Sequence, residues 1–216
     1  MFLIQNEKNF RLLQSAIKWL SKDKKFHICI HDLSGVLHGS AALSLPAKDM
    51  MHSVGYCDLA KTSPRGMRYC LKCKSLSIRK ALKLRKLFVG QCYMGLTEII
   101  KPVFFHEKPV CIIYIGNFFL QEKKEQMLGR IAKNSSNTGV KSHKLINMLE
   151  ASQLISEASL NEYAELAEIL SNIILNSLND TTRLKNKSVS ASPVYTGSSH
   201  WVIEAMESYV NSYYNR

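Results

Sequence analysis

The sequence predicts an α+β fold, an antiparallel sheet flanked by helices with further helices toward the C-terminus. Three observations predict it. β-Type runs cluster between residues 87 and 120 with short links, as antiparallel neighbours do. Helical periodicity dominates from residue 122 onward. The chain of 216 residues, 46% hydrophobic and 21% charged, is long enough for one sizeable core and ordinary for a globular protein.

The elements follow in order. Residues 10–20 repeat apolar positions at helical spacing through Phe10, Leu13, Ala16, Ile17 and Leu20. The charged run 22–25 ends that helix. Residues 26–31 alternate and are rich in β-branched side chains, so they form a strand, and 32–35 make a turn with Gly35 free to take positive φ. Residues 36–45 are expected as the second arm of a hairpin, and 46–53 as a short helix or loop. Ser63 followed by Pro64 marks a capped helix start. The helix then runs from 67 to 86, with Cys70 and Cys73 three apart on one face. Strands are expected at 87–93, at 97–105 with a break at Pro102, and at 110–120, which is almost wholly apolar; 106–109 is a tight connection. Helices follow at 122–133, 143–151 and 159–178. The last opens with Ser159 and Glu162 in capping-box spacing. Its apolar face fits either a twin helix in a dimer or the sheet of its own domain.

Residues 179–199 are polar, rich in Ser, Thr, Asn and Lys, and resemble an interdomain linker. Residues 201–216 form an amphipathic helix through Ile203, Met206, Tyr209, Val210 and Tyr213. A single such helix cannot bury its face alone.

The formal net charge is +12, which favours anionic partners, nucleic acid above all. The charge is concentrated: no acidic residue lies between Asp58 and Glu98, while that interval holds Lys61, Arg65, Arg68, Lys72, Lys74, Arg79, Lys80, Lys83, Arg85 and Lys86. The run is a solvated helix face, or a contact for DNA phosphates or an acidic protein. No apolar run approaches the roughly 20 residues that span a bilayer. The first residues have neither a basic region nor a long apolar core, so they are not a secretory signal. The default location is therefore cytoplasmic, where thiols stay reduced.

Cys57, Cys70, Cys73 and Cys92 stand in the order C-x12-C-x2-C-x18-C. Four thiolates can hold zinc in a tetrahedral site, or an iron–sulfur cluster. A basic helix would also lower the thiol pKa at Cys70 and Cys73 and suit them to redox sensing. The third reading is that all four are small hydrophobes lining a core or pocket. Cys29 and Cys111, in apolar strands, are core residues.

The stretch from Tyr56 and Cys57, through Arg68, Cys70 and Cys73, to Cys92, Gly95, Leu96, Pro102, Val103, Gly116 and Asn117 is similar to the PocR-type sensory domain. The family pattern commonly carries histidine at the position of Tyr93, an acidic residue at that of Lys74 and glutamine at that of Asn117. The terminal helix 201–216 resembles the opening helix of an AraC-type DNA-binding domain. The resemblance implies a PAS-like sensory domain over 1–180, a linker over 181–200, and the start of a truncated helix-turn-helix domain over 201–216. It also implies a function: binding a small-molecule effector, such as a short diol or similar hydrocarbon derivative, and controlling DNA through the missing C-terminal domain, as a homodimer and away from the membrane.

PAS-like sensors place their ligand between sheet and helices in an apolar hollow with few polar groups. Gln91, Tyr93, Gly95, Glu98, Tyr114 and Asn117 are the expected lining. Glu98, the lone acid of its stretch, either hydrogen-bonds a ligand hydroxyl or amine, or pairs with Lys101 at a strand edge. His27, His31 and His38 with Cys57 offer a Cys–His pair only on paper. No phosphate loop, serine elbow or paired-carboxylate pattern appears, so the chain is not expected to be an enzyme.

Overall fold

The computed structural model describes residues 11–22, 26–52, 54–152 and 154–187. The expected terminal helix 201–216 and all of the linker beyond 187 lie outside the described residues.

The elements are α1 (Leu12–Leu20), β1 (His27–Asp32), α2 (Gly55–Ala60), α3 (Pro64–Leu84), β2 (Phe88–Gln91), β3 (Thr97–Phe105), β4 (Lys108–Phe118), α4 (Lys124–Thr138), α5 (Ser142–Glu150) and α6 (Leu160–Lys187). The four strands form one antiparallel sheet in the order β1-β4-β3-β2. The fold is the α+β arrangement the sequence predicts, with a PAS-like sheet.

Strand β4 is central, flanked by β1 and β3, and its composition follows from that position. Cys111, Ile113 and Ile115 pack with Leu13 and Ile17 of α1 and with Ala167, Leu170 and Ile174 of α6. Ile112 and Tyr114 point the other way and pack with Ala81 of α3, Cys29 and Ile100. A strand covered on both faces loses the polar half of its alternation. Cys29 and Cys111 are core residues, each about 1% exposed.

Residues 36–45 differ from expectation: they form no strand. The cause is Asp32, whose side chain is fully buried. Its carboxylate accepts backbone N–H bonds from Ser34 (3.1 Å), Gly35 (2.8 Å) and Leu37 (2.9 Å) and meets His38 Nδ1 at 3.3 Å. Those bonds curl the chain into a loop and leave β1 to pair with β4. Pro102 does not break β3 either. β2 pairs with β3 only as far as Ile100, so the missing N–H falls where β3 has a strand on one side alone. Between β3 and β4, His106 and Glu107 both take left-handed φ (46° and 63°), the backbone of a two-residue I′ hairpin turn.

The long helix α6 lies across β3 and β4 and against α1. Ala167, Leu170 and Ile174 are fully buried there, so its apolar face is used within its own domain. The helix runs to Lys187, well past residue 178. Its opening is capped one turn earlier than the Ser159–Glu162 spacing suggests: Ser156 Oγ accepts from the N–H of Ser159, and a short 3-10 turn leads into the helix. A further cluster, Tyr56, Met94, Leu96, Phe119, Met127, Ile131, Leu145 and Leu149, joins α2, α4 and α5 around the 92–96 turn.

Candidate functional site

Helix α3 crosses the sheet face opposite α6, and the two layers do not meet everywhere. Ser63 caps the helix, its Oγ accepting from the N–H of Gly66 at 2.9 Å, with Pro64 in the first turn. The close approach of α2 and α3 depends on Gly66, where a Cβ would lie 2.3 Å from the carbonyl oxygen of Ala60. One stripe of α3, Cys70, Cys73, Lys74, Ser77 and Ala81, faces inward at i, i+3, i+4 spacing. Arg65, Arg68, Lys72, Arg79, Lys80 and Lys83 are exposed.

Between α3 and the β2–β3 edge lies a cavity of about 250 Å³. Tyr56 and Cys57 of α2, Cys70, Cys73, Lys74 and Ser77 of α3, Gly90 and Gln91 of β2, the 92–94 turn, Leu96, and Glu98 and Ile100 of β3 line it, with His52 and Asn117. All four cysteines of the C-x12-C-x2-C-x18-C series therefore line the same cavity.

Of the expected lining residues, Gln91, Tyr93, Glu98 and Asn117 are at the cavity. Gly95 and Tyr114 stand behind it. Gly95 holds φ +92° in the tight turn closed by Cys92 N–H to Leu96 O (2.8 Å) and Gly95 N–H to Cys92 O (3.0 Å), and a Cβ there would meet Met127 Cγ at 3.0 Å. Tyr93 presents its ring, because its hydroxyl is occupied by the carbonyls of Ala60 (2.9 Å) and Gly66 (3.2 Å). Gln91 Nε2 donates to Gly95 O at 3.0 Å. Asn117 occupies a β-bulge: Thr97 pairs with Phe118 but Glu98 with Gly116, so Asn117 is the extra residue, at φ 66°. The bulge turns its amide to Cys57, whose thiol donates to Oδ1 at 3.5 Å.

The polar end of the cavity is a three-residue relay. Glu98 Oε1 is 2.7 Å from His52 Nδ1, and His52 Nε2 is 2.8 Å from Lys74 Nζ. An ammonium only donates, so Nε2 accepts and Nδ1 carries the proton toward Glu98. Lys74 Nζ also lies 3.0 Å from the centre of the Tyr114 ring, a cation–π contact, and Tyr114 is fixed by Ser77 at 3.5 Å and by ring contacts with His31 and His52. Burial lowers the pKa of Lys74, with Glu98 resisting. Burial likewise lowers His52 against the pull of Glu98. Burial pushes Glu98 up, but His52 and Lys74 together bring it below the usual carboxylate range. The ground state is carboxylate, neutral imidazole, ammonium.

Sequence reasoning offered two roles for Glu98, and the Lys101 pairing is not its partner here: Lys101 bonds Glu168 at 2.7 Å. It missed His52. That residue comes from an irregular loop, and no periodicity marks it. The Cys–His pairing is absent among the described residues: Cys57 bonds Asn117, His27 bonds Met51 O at 2.9 Å and His38 meets Asp32.

The expected lowering of thiol pKa is corrected by burial. Desolvation raises Cys70 against the pull of Lys61 and Lys74, and raises Cys73 and Cys57 as well. Cys92 is pushed up to about 12. A buried thiolate costs more than distant lysines return. Among the described residues no three His, Cys, Asp or Glu side chains are grouped so as to hold a metal ion. Cys57, Cys70, Cys73 and Cys92 are free cysteines that line the same cavity.

Among the described residues no helix is long and apolar enough to cross a membrane. The family model described as the sensory domain found in PocR matches residues 38–179. No curated protein matches the chain, and no solved structure does.

Proposed function

The chain belongs to the PocR sensory-domain family, and from that premise we propose that the α3 cavity binds a small organic effector, a short diol or similar hydrocarbon derivative, to control an attached AraC-type DNA-binding domain. The family is a sensory one and not an enzyme family. The observation that carries the reading is the cavity: about 250 Å³, apolar along Tyr56, Met94, Leu96 and Ile100, with a few polar groups gathered at Glu98, His52, Lys74, Gln91 and Asn117. Drug-sized pockets start at roughly 300 Å³, so this one suits a molecule of few carbons.

A route for the signal is available in β3. Glu98 and Ile100 border the cavity, while Ile99 and Val103 pack in the α6-side core on the opposite face. A ligand that shifts β3 shifts the bed of α6, the helix that leads toward residues 188–216. In this reading the regulator works as a homodimer in the cytoplasm, and DNA is its second partner.

A thermal-shift series of short diols, alcohols and small acids tests the proposal. At a hundred times Kd a ligand adds about 2.7 kcal/mol, which for a domain of this size raises Tm by roughly 5–10 °C. No shift with any member of the series, at concentrations up to their solubility, removes the effector reading.

A further inference from the structure

The cavity contains a group that neutral diol binding does not require. A lysine stripped of water is costly unless paired, and an apolar side chain of similar length would fill its place on α3. Lys74 is kept there by three features. Among the described residues its ammonium has a single hydrogen bond to a side chain, to His52 Nε2 at 2.8 Å, which leaves N–H capacity beyond it. His52 is itself held at 2.7 Å by Glu98, and these two side chains are only 15% and 13% exposed. The Tyr114 ring, 3.0 Å from Nζ, favours a cation at that point. A nucleophile, a base in hydrogen-bond contact with it, and a third group orienting the base make an activated-nucleophile arrangement. The nucleophile in this one is an amine at a cavity wall, and amines capture carbonyl compounds.

We infer that Lys74 captures a small aldehyde or ketone as a reversible imine, with His52 moving the proton and Glu98 holding His52 in place. The inference rests on the effector reading above and names a chemical class for the effector. Lys74 passes one proton to His52 Nε2, and the imidazolium so formed pairs with the Glu98 carboxylate. The free amine attacks the carbonyl carbon, and one of its protons moves to the oxygen to give a neutral carbinolamine. The imidazolium returns its proton to that hydroxyl, water leaves, and a protonated imine remains. An ammonium and a carbonyl become an iminium and water, with no oxidant or reductant. The product is still a cation, so the Tyr114 face and the Glu98 charge that held the ammonium hold the iminium as well. Burial lowers the pKa of Lys74 and raises that of all four thiols, so the amine and not a thiolate is the available nucleophile.

The test uses the full chain, propanal in less than molar equivalence, and sodium cyanoborohydride to fix any imine as a propyl-lysine. Peptide mapping by mass spectrometry then reads which lysines are labelled. A base in hydrogen-bond contact and a cavity that gathers the carbonyl act only at Lys74, so it should label at least about tenfold faster than exposed Lys72 and Lys83. Lys74→Arg keeps the cation and should abolish the fast labelling. His52→Gln should slow Lys74 to the rate of the exposed lysines. Labelling that spreads evenly over the exposed lysines, or fast labelling that persists elsewhere in Lys74→Arg, overturns the inference. The wild-type map decides alone if a variant fails to fold. Parallel thermal shifts with propan-1-ol separate the two proposals. Equal stabilisation by alcohol and aldehyde without trapping at Lys74 leaves the effector reading standing and removes the imine. No stabilisation by propanal or by any member of the diol, alcohol and acid series, together with no trapping, removes both.

Discussion

Acidification should destabilise this fold well before its carboxylates are protonated. The perturbation acts on His31 and His52, which stack on Tyr114 beside Lys74. Burial lowers His31 well below 6.5, reinforced by the charge of Lys74 and by His52, and burial also lowers His52 despite Glu98. A histidine whose folded pKa is depressed refuses a proton that the unfolded chain accepts. Its stability contribution is complete above the ordinary value of 6.5 and is lost as pH falls from there toward the folded value. One such proton is worth about 1.4 kcal/mol per pH unit, so two give a slope of up to about 2.7 kcal/mol per unit. Against a total of roughly 5–15 kcal/mol, a single unit removes a large share of the stability. Glu98 adds a separate loss only below the usual carboxylate range, since its folded pKa is also lowered. Urea unfolding midpoints measured between about pH 7.5 and pH 5 read the slope directly. His31→Phe keeps a ring on Tyr114 and removes the more strongly depressed group, so it should cut the slope by half or more. A slope under about 0.5 kcal/mol per unit, or one that His31→Phe leaves unchanged, refutes the reasoning.

The other expectations are as follows. Glu98→Gln strips the counter-charge from a buried ammonium and should cost about 3 kcal/mol, much of it recovered when Lys74→Met is added; urea unfolding of the single and double variants that shows costs adding to within about 0.5 kcal/mol would dissolve the relay. Gly95→Ala forces a side chain into left-handed backbone against Met127 and should lower stability by about 2–3 kcal/mol in the same assay, whereas a neutral result would mean the 92–96 turn relaxes freely. Cys57, Cys70 and Cys92 should react with an aromatic disulfide at least about tenfold more slowly in the native protein than in denaturant, because burial holds them as thiols; native-state labelling as fast as that of the unfolded chain would revive the low-pKa reading.

Elements with strong local signals were legible in the chain. Ser63 and Pro64 marked the start of α3, and three apolar runs with short links gave β2, β3 and β4 in the right antiparallel order. The misreadings came where a long-range bond overrode a local pattern. Residues 36–45 looked like a hairpin arm because they follow a strand and a glycine turn, but Asp32 spends its carboxylate on Ser34, Gly35 and Leu37 and bends the chain away. Pro102 looked like a break because the neighbouring strand's length was not visible. The cysteines were found as a set, yet their chemistry was read from charge counted along the sequence, whereas Arg68, Lys72, Arg79 and Lys83 turn to solvent and desolvation decides the thiols.

The same distinction explains why the centre of the site stayed hidden. Lys74 was one cation among ten between Asp58 and Glu98, and apart from its departure from the family pattern nothing in the chain separates it from Lys72 or Lys80. Only the register of α3 on the sheet does: Cys70, Cys73, Lys74, Ser77 and Ala81 share the inward stripe, whereas Lys72, Arg79 and Lys83 turn to solvent. His52 then reaches Lys74 and Glu98 from residues 22 and 46 positions away. A basic helix that reads as a charged surface thus turns one of its cations inward. The stripe spacing that places two cysteines on one face also places the lysine beside them, so the pattern that first drew attention to the thiols located the amine.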